Sequence, residues 1–421
     1  MRTRLLALML AFTAALLCGG ETRKPLLIFH LPPGKYEQAV EFHRRANAAH
    51  FAGFAWECLA LALCVRLQWA PRIRTWAARR WRSRLAQGAA VIAAVFLLLW
   101  AWSLPLSLYR RHLALQYGLS IQPWMSWLID WIQAGLIAGV PSALVVLAFY
   151  ALARRTRTWW AYAWALAAAV MSIAAYLMPV FIDPLFFRFT PLMNTRPDLA
   201  LKLEAVAKRA GFHIPPERIF EMDASRKTPA VNAYMTGFGS TKRIVVWDTA
   251  LGALTPPQIQ TVFAHELGHY ALHHIPLSLA VSAGSLLIGF WLLDWLMRRL
   301  VRRSGPRWDI QSLDDYASLP LALLLALIGG FLAEPLANSY SRWQERQADI
   351  YELETMHALV ADAGRNSAET DQVMAEIDLE DPAPDPFIRF WLFSHPPAAE
   401  RMIFAQEYDP WSQGKQPKYV R

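Results

Sequence analysis

Residues 265 to 269 read His-Glu-Leu-Gly-His, two imidazoles four positions apart with a carboxylate directly after the first. On an α-helix, residues i and i+4 share a face, so both rings reach one tetrahedral cation. Glu266 then projects to the side where an attacking water would stand. The chemistry this permits is hydrolysis by a zinc-activated water, with Glu266 as the proton acceptor. A zinc ion of this kind keeps three protein ligands and one open position, so a third donor must come from elsewhere. The best candidate is Glu345, in the polar stretch NSYSRWQERQADIYE from Asn338 to Glu352. Asp349, one turn on, would accept the outer N–H of a ligating histidine and fix its tautomer. Taken alone, the stretch reads equally as an exposed helix laced with Arg342, Arg346 and acids. His273 and His274 fall on another helical arc near an apolar boundary and read as helix-end or interfacial residues, not ligands.

The motif works only on a helix, and the preceding residues supply one. Thr255 can cap it, Pro256 suits the first helical position, Gln258 completes a capping box, and Leu254 with Ile259 can form a hydrophobic staple. Residues 196 to 211 carry Leu199, Leu203, Val206 and Ala210 at helical spacing, and Lys242 to Asp248 is a short β-branched strand.

Of the 421 residues, 55% are hydrophobic, more than one soluble core of this length uses. The excess lies in blocks at 4–20, 51–68, 88–108, 131–153, 159–180, 277–297 and 319–333, near the 17 to 25 residues that cross a bilayer. The last is short, and a continuation through Pro335 would tilt or kink a longer helix. The first, after Arg2 and Arg4, reads equally as a cleavable signal peptide or a retained helix. The expected fold is therefore predominantly α: six or seven transmembrane helices and a zinc-protease lobe with a small β-sheet. In chain order the divisions are residues 1–20, a transmembrane region at 21–180, a lobe at 181–275 with the HExxH helix, two further transmembrane helices at 276–337, and the rest of the lobe at 338–421. The acidic, Pro-rich stretch from Asp378 to Pro386 is a surface loop.

The net charge of +9 does not point to nucleic acid. The arginines cluster beside apolar spans, at Arg66 to Arg84, Arg154 to Arg157 and Arg298 to Arg307, where positive charge resists translocation. These three clusters share one side, and the same count puts the lobe on the other, outside the cytoplasm. Cys18, Cys58 and Cys64 lie inside apolar spans at no spacing of a zinc knuckle or disulfide framework and are packing residues.

HELGHY at 265–270, SRWQERQAD at 341–349, VNAYMTGFGSTKRIVVWDTAL at 231–251, DPLFFRFTPL at 183–192 and SHPPAAERM at 394–402, in that combination, resemble the type I CAAX prenyl proteases, over roughly residues 30 to 407. That family consists of integral-membrane zinc endopeptidases with seven helices around a large chamber. The resemblance implies Glu345 as third ligand, Asp349 behind a ligating histidine, and Asn232, Ala233 and Tyr234 on an edge that pairs with an extended peptide. It further implies His395 near the scissile carbonyl and Arg401 beside the substrate. From the residues alone, His395 before two prolines is more often a loop residue, and Arg401 could equally be an ion-pair partner. The family's eukaryotic members place the catalytic lobe in the cytosol, opposite to the arginine count. The partners implied are a polypeptide, lipidated or not, and membrane lipid; the Ala-, Arg- and Trp-rich composition suggests a bacterial cell membrane. A transporter or scaffold that kept the fold and lost catalysis is the alternative from another class.

Overall fold

The computed structural model describes residues 26–236, 243–357 and 359–420. The expected span at 4–20, with Cys18, lies outside them. Six long apolar helices cover the other expected spans: α1 (Lys35–Arg66), α3 (Arg84–Gln116), α4 (Trp124–Arg155), α5 (Trp159–Leu177), α8 (His274–Trp308) and α9 (Leu319–Met356), with the short α2 (Trp69–Arg80) between α1 and α3. Except for α5, which gives way to a π-helical turn at Met178–Ile182, each helix is longer than its apolar block, because the flanking residues are helix formers that propagate a nucleated turn at little cost. The short block at 319–333 belongs to α9, which continues through Pro335 into the polar stretch and carries the chain out of the apolar layer in one piece.

The six helices form a closed ring in the order α1, α3, α4, α5, α8, α9 and back to α1. Small residues let neighbours close in. Gly53 faces Leu106, and Gly135 lies under Trp100, where an added Cβ would sit 2.7 and 2.8 Å from the nearest side-chain atoms. Trp56 and Trp102 stack and exchange indole N–H bonds with each other's backbone carbonyls at 2.9 and 3.0 Å, meeting donors that hydrocarbon cannot satisfy. Phe54 stacks on Phe331 across the α1–α9 seam with centroids 3.8 Å apart. Ring neighbours cover only the flanks of a helix. The apolar windows of α4 and α8 are accordingly 6% and 0% buried within the protein, leaving an outer face for lipid and an inner face for the ring's interior.

The lobe at one end of the ring holds a four-stranded sheet: β1 (Phe189–Pro191), β2 (Ile219–Met222), β3 (Ala233–Thr236) and β4 (Arg243–Trp247) in spatial order β1-β2-β4-β3. β2 and β4 are parallel, the outer pairs antiparallel, and β3 is an edge strand. The expected strand at 242–248 is β4, and the expected helix at 196–211 is α6 (Pro197–Arg209). The motif helix α7 (Pro256–Ala271) packs Ile259, Phe263 and Leu267 into a core with Leu203, Val206, Ile244, Val246 and Met356. Helices α10 (Ala363–Ile377), α11 (Pro386–Leu392) and α12 (Ala398–Glu407) complete the lobe.

The arginine clusters gather at the opposite end. Arg74 pairs with Asp309 at 2.9 Å and with Asp315, Arg154 donates to Tyr316 at 2.7 Å, and Arg298 donates to the Arg157 carbonyl at 3.0 Å. On the lobe side, Ile121 N–H donates to the Lys227 carbonyl at 3.0 Å, and Lys35 pairs with Glu376 at 3.0 Å. All three clusters thus share a face away from the lobe. Since arginine-rich loops stay in the cytoplasm, a reporter active only outside the cytoplasm is expected to work when fused after Arg421. Activity of a cytoplasm-only reporter there reverses the assignment.

Candidate metal centre and substrate cleft

Helix α7 begins as its sequence requires: Thr255 N–H donates to Gln258 Oε1 at 2.9 Å in a capping box, with Pro256 at the first position. Leu254 and Ile259 are both buried in the lobe core. The helix lies against α9 at unusually close range. A Cβ on Gly268 would stand 3.0 Å from the Tyr351 Cβ and 3.1 Å from the Ala348 Cα, so a larger fourth motif residue would push the helices apart by a few tenths of an ångström. Glu345 is one turn before Ala348, and the two histidines flank Gly268.

The contact brings three donor residues together, the Glu345 carboxylate meeting the two histidines through different oxygens. His265 Nε2 is 3.1 Å from Glu345 Oε2 and 3.2 Å from His269 Nε2, and His269 Nε2 is 3.4 Å from Glu345 Oε1. Donors about 2.0–2.1 Å from a tetrahedral cation stand roughly 3.3 Å apart, so the triangle has the edge lengths that a zinc-sized ion demands. Its charge also suits a cation. Burial works to lower His265, yet the Asp349, Glu345 and Glu352 carboxylates carry it well above the ordinary imidazole value. An arrangement that pulls a proton this strongly has negative charge to spare, and a divalent ion answers it.

A second acidic group lies on the outer side of His265, whose Nδ1 is 3.3 Å from Asp349 Oδ1 and 3.7 Å from Glu352 Oε2. With Nε2 turned to the triangle, Nδ1 carries the proton, so these carboxylates orient the ring rather than hold a second ion. Arg401 occupies the place a cation would take: its Nη2 is 2.9 Å from Asp349 and its Nη1 is 3.2 Å from Asp371. Burial lifts Asp371 to about 7 against the pull of Arg401, with Glu352 and Asp349 adding to the rise.

A cavity of about 530 Å³ opens on the triangle and is lined by Asn232, Ala233, Tyr234, Glu266 and His395 as well as the three donors. No described residue gives Glu266 a hydrogen bond, and burial raises its carboxyl above the usual value against His265 and His269. His395 Nε2 is 3.4 Å from Glu345 Oε1, and its Nδ1 is 2.9 Å from Ser394 Oγ. β3 presents its open edge to the same cavity. Of the residues that the resemblance places beside substrate, Arg401 stands apart. It does not line the cavity but braces Asp349 from behind, because three carboxylates in that buried pocket need a counter-charge more than the open cleft does.

Glu352 and His274 were not anticipated. Glu352 has a readable signal, since 345, 349 and 352 form an acidic i, i+4, i+7 stripe. His274, read as a helix-end or interfacial residue and not a ligand, does begin α8 and is also buried against His269, with the two Nδ1 atoms 2.9 Å apart. The turn that folds it there runs through His273 at φ +56°, a left-handed conformation that composition does not announce.

Comparison with known proteins agrees with this geometry. Residues 194–409 match peptidase family M48, and residues 25–188 match the CAAX prenyl protease N-terminal region of five membrane helices. The chain is 31% identical over 378 residues to the uncharacterized metalloprotease YhfN of Bacillus subtilis, across 90% of this chain and 87% of that one. It is 34% identical over 178 residues to CAAX prenyl protease 1 of Saccharomyces cerevisiae, across 41% and 38%. The crystal structure of S. mikatae Ste24p shares the fold with a TM-score of 0.77 at 23% identity, covering 92% of this chain and 93% of that one. The chain belongs to peptidase family M48, as an integral-membrane metallopeptidase of the CAAX prenyl protease type.

Two measurements follow. Gly268→Ala places a methyl 3.0 Å from the Tyr351 Cβ and 3.1 Å from the Ala348 Cα and forces the helices to shift, so it should destabilise the lobe by about 1–3 kcal/mol in thermal unfolding; an unchanged Tm removes the close approach as a constraint. Asp371 ionises near pH 4 when unfolded but near 7 when folded. Its folded pKa is raised, so it holds its proton more tightly in the folded state and lowers stability progressively as pH rises from about 4 to about 7. Asp371→Asn cannot ionise and should flatten the Tm profile over that window; an identical slope in both proteins excludes this role.

Proposed function

We propose that the protein is a zinc-dependent endopeptidase in which His265, His269 and Glu345 hold the ion and Glu266 is the general base. The observation that carries this reading is the donor triangle with edges of 3.1 to 3.4 Å, facing one cavity with an unencumbered Glu266 and an open strand edge. A zinc ion there supplies Lewis acidity, acidifying water and polarising a carbonyl. The other tasks fall to the chain. An extended substrate adds a strand to β3, its backbone pairing at Ala233 to Thr236 with Asn232 and Tyr234 beside it. That fixes the scissile carbonyl above Glu266. Glu266 takes the proton of the attacking water and delivers it to the leaving amine, a role that suits a carboxylate whose pKa is raised toward the working pH. His395 lines the same cavity beside Glu345 and donates to the oxygen on which charge develops. Asp349 holds the His265 tautomer, and Arg401 supports that task instead of touching substrate.

The substrate class is a polypeptide presented from the membrane. The relatives' name, CAAX prenyl protease 1, favours a lipidated C-terminal segment, while unmodified membrane or misfolded polypeptides fit the same strand edge. Glu266→Gln keeps shape and charge-independent packing but cannot accept a proton. Turnover should fall by at least about 10²-fold with the metal retained, assayed on a farnesylated CAAX-terminated peptide beside an unmodified unfolded one. His265→Ala, His269→Ala and Glu345→Ala should each lose tightly held zinc by metal analysis. Near wild-type cleavage by Glu266→Gln, or full zinc in Glu345→Ala, refutes the assignment.

A further inference from the structure

The two proposed histidine ligands have different surroundings. His265 has carboxylates at its outer nitrogen, and His269 has another imidazole. His274 is 4% exposed, its ring edge-on to that of His269 with centroids 5.0 Å apart, and the two Nδ1 atoms stand 2.9 Å from each other. At that distance one nitrogen donates and the other accepts. Which does which follows from the other side of His269. Its Nε2 faces His265 Nε2 and the Glu345 carboxylate, and to serve as a ligand it presents a lone pair. The His269 proton is then on Nδ1, and His274 Nδ1 receives it as acceptor. The His274 proton must lie on Nε2, which is buried without a hydrogen-bond partner. A buried donor left unmet is unfavourable, and it persists here because the ring's other nitrogen is committed to His269.

The placement of His274 is over-determined. The left-handed turn at His273 ends α7 and starts α8. Gln344 Nε2 donates to the His274 carbonyl at 3.3 Å, and Ser278 Oγ donates to Gln344 Oε1 at 3.1 Å. Gln344 precedes Glu345, so the residue that carries the third donor and the residue that braces the second histidine are pinned together.

We infer that His274 is a positioning residue of the metal centre: a neutral imidazole that accepts the His269 Nδ1–H and fixes that ring's tautomer and direction. The inference rests on the zinc reading above. It is tested by the zinc dissociation constant of the detergent-purified full chain, from competition with a chelator, for wild type, His274→Phe and His274→Asn, with the Tm of each metal-free form. Phenylalanine keeps the ring and removes the acceptor. Asparagine loses the ring, but its side-chain oxygen overlies the position of Nδ1. Loss of such an outer partner typically weakens metal binding 10- to 100-fold, so His274→Phe should raise the dissociation constant by about that factor, and His274→Asn should recover most of it. Wild-type affinity in His274→Phe, or equal weakening in both variants in step with a lowered metal-free Tm, overturns the inference. A wild-type chain that takes up no zinc overturns the metal reading itself, and is recognised because no variant series is needed to see it.

Discussion

The close approach of α7 to α9 at Gly268 and Ala348 is the constraint on which the rest depends. Two helices at an ordinary interaxial distance of 8–10 Å keep side chains between them. Here the missing Cβ removes that layer, and the donors on either side converge to within 3.4 Å. The same contact aligns the α9 stripe so that Glu345 meets the inner nitrogens of both histidines while Asp349 and Glu352 meet the outer nitrogen of His265. This one contact thus arranges the proposed ligand triangle and its support together.

Gathering so many carboxylates would be prohibitive without compensation. It is arranged in layers. Glu345 faces the proposed ion site, Asp349 links that layer to the next, and Arg401 closes the series with Asp371 behind it. Arg346 approaches Asp349 Oδ2 at 3.7 Å and rests its guanidinium on Phe404. Alternating sign through a buried stack keeps each charge next to its opposite, so the site holds its shape in a part of the lobe where water is scarce.

Much of this was legible in the residues. HELGH, its capping box and the apolar blocks each state a local requirement that one short window contains, and α7, α9, β4 and the six described spans follow from them. The convergence of Asn232 to Tyr234 and His395 on the cleft rested on resemblance, since nothing local to a histidine before two prolines fixes what it will face. What escaped reading was set by tertiary contacts. Arg401 read equally as a substrate contact by resemblance and as an ion-pair partner from the residues alone, and the partners it pairs with, Asp349 and Asp371, come from two different helices. His274 looked like a boundary residue because a non-glycine left-handed turn at His273 leaves no mark in sequence. The acidic i, i+7 relation of Glu345 and Glu352 was visible but needed the position of His265 to acquire meaning.

Between the second histidine and the third proposed ligand the chain leaves the lobe along α8, reverses at the arginine-rich face and returns along α9. The donors of His265 and Glu345 are 80 residues apart. At a synthesis rate of about 5–20 residues per second, Glu345 is made roughly 4–16 s after His265, and it reaches its partner only when two further crossings are in place. A nascent chain stalled between those events carries the HELGH helix with two donors instead of three. The proposed three-residue site is therefore complete only when both helices between its first and last members have been made.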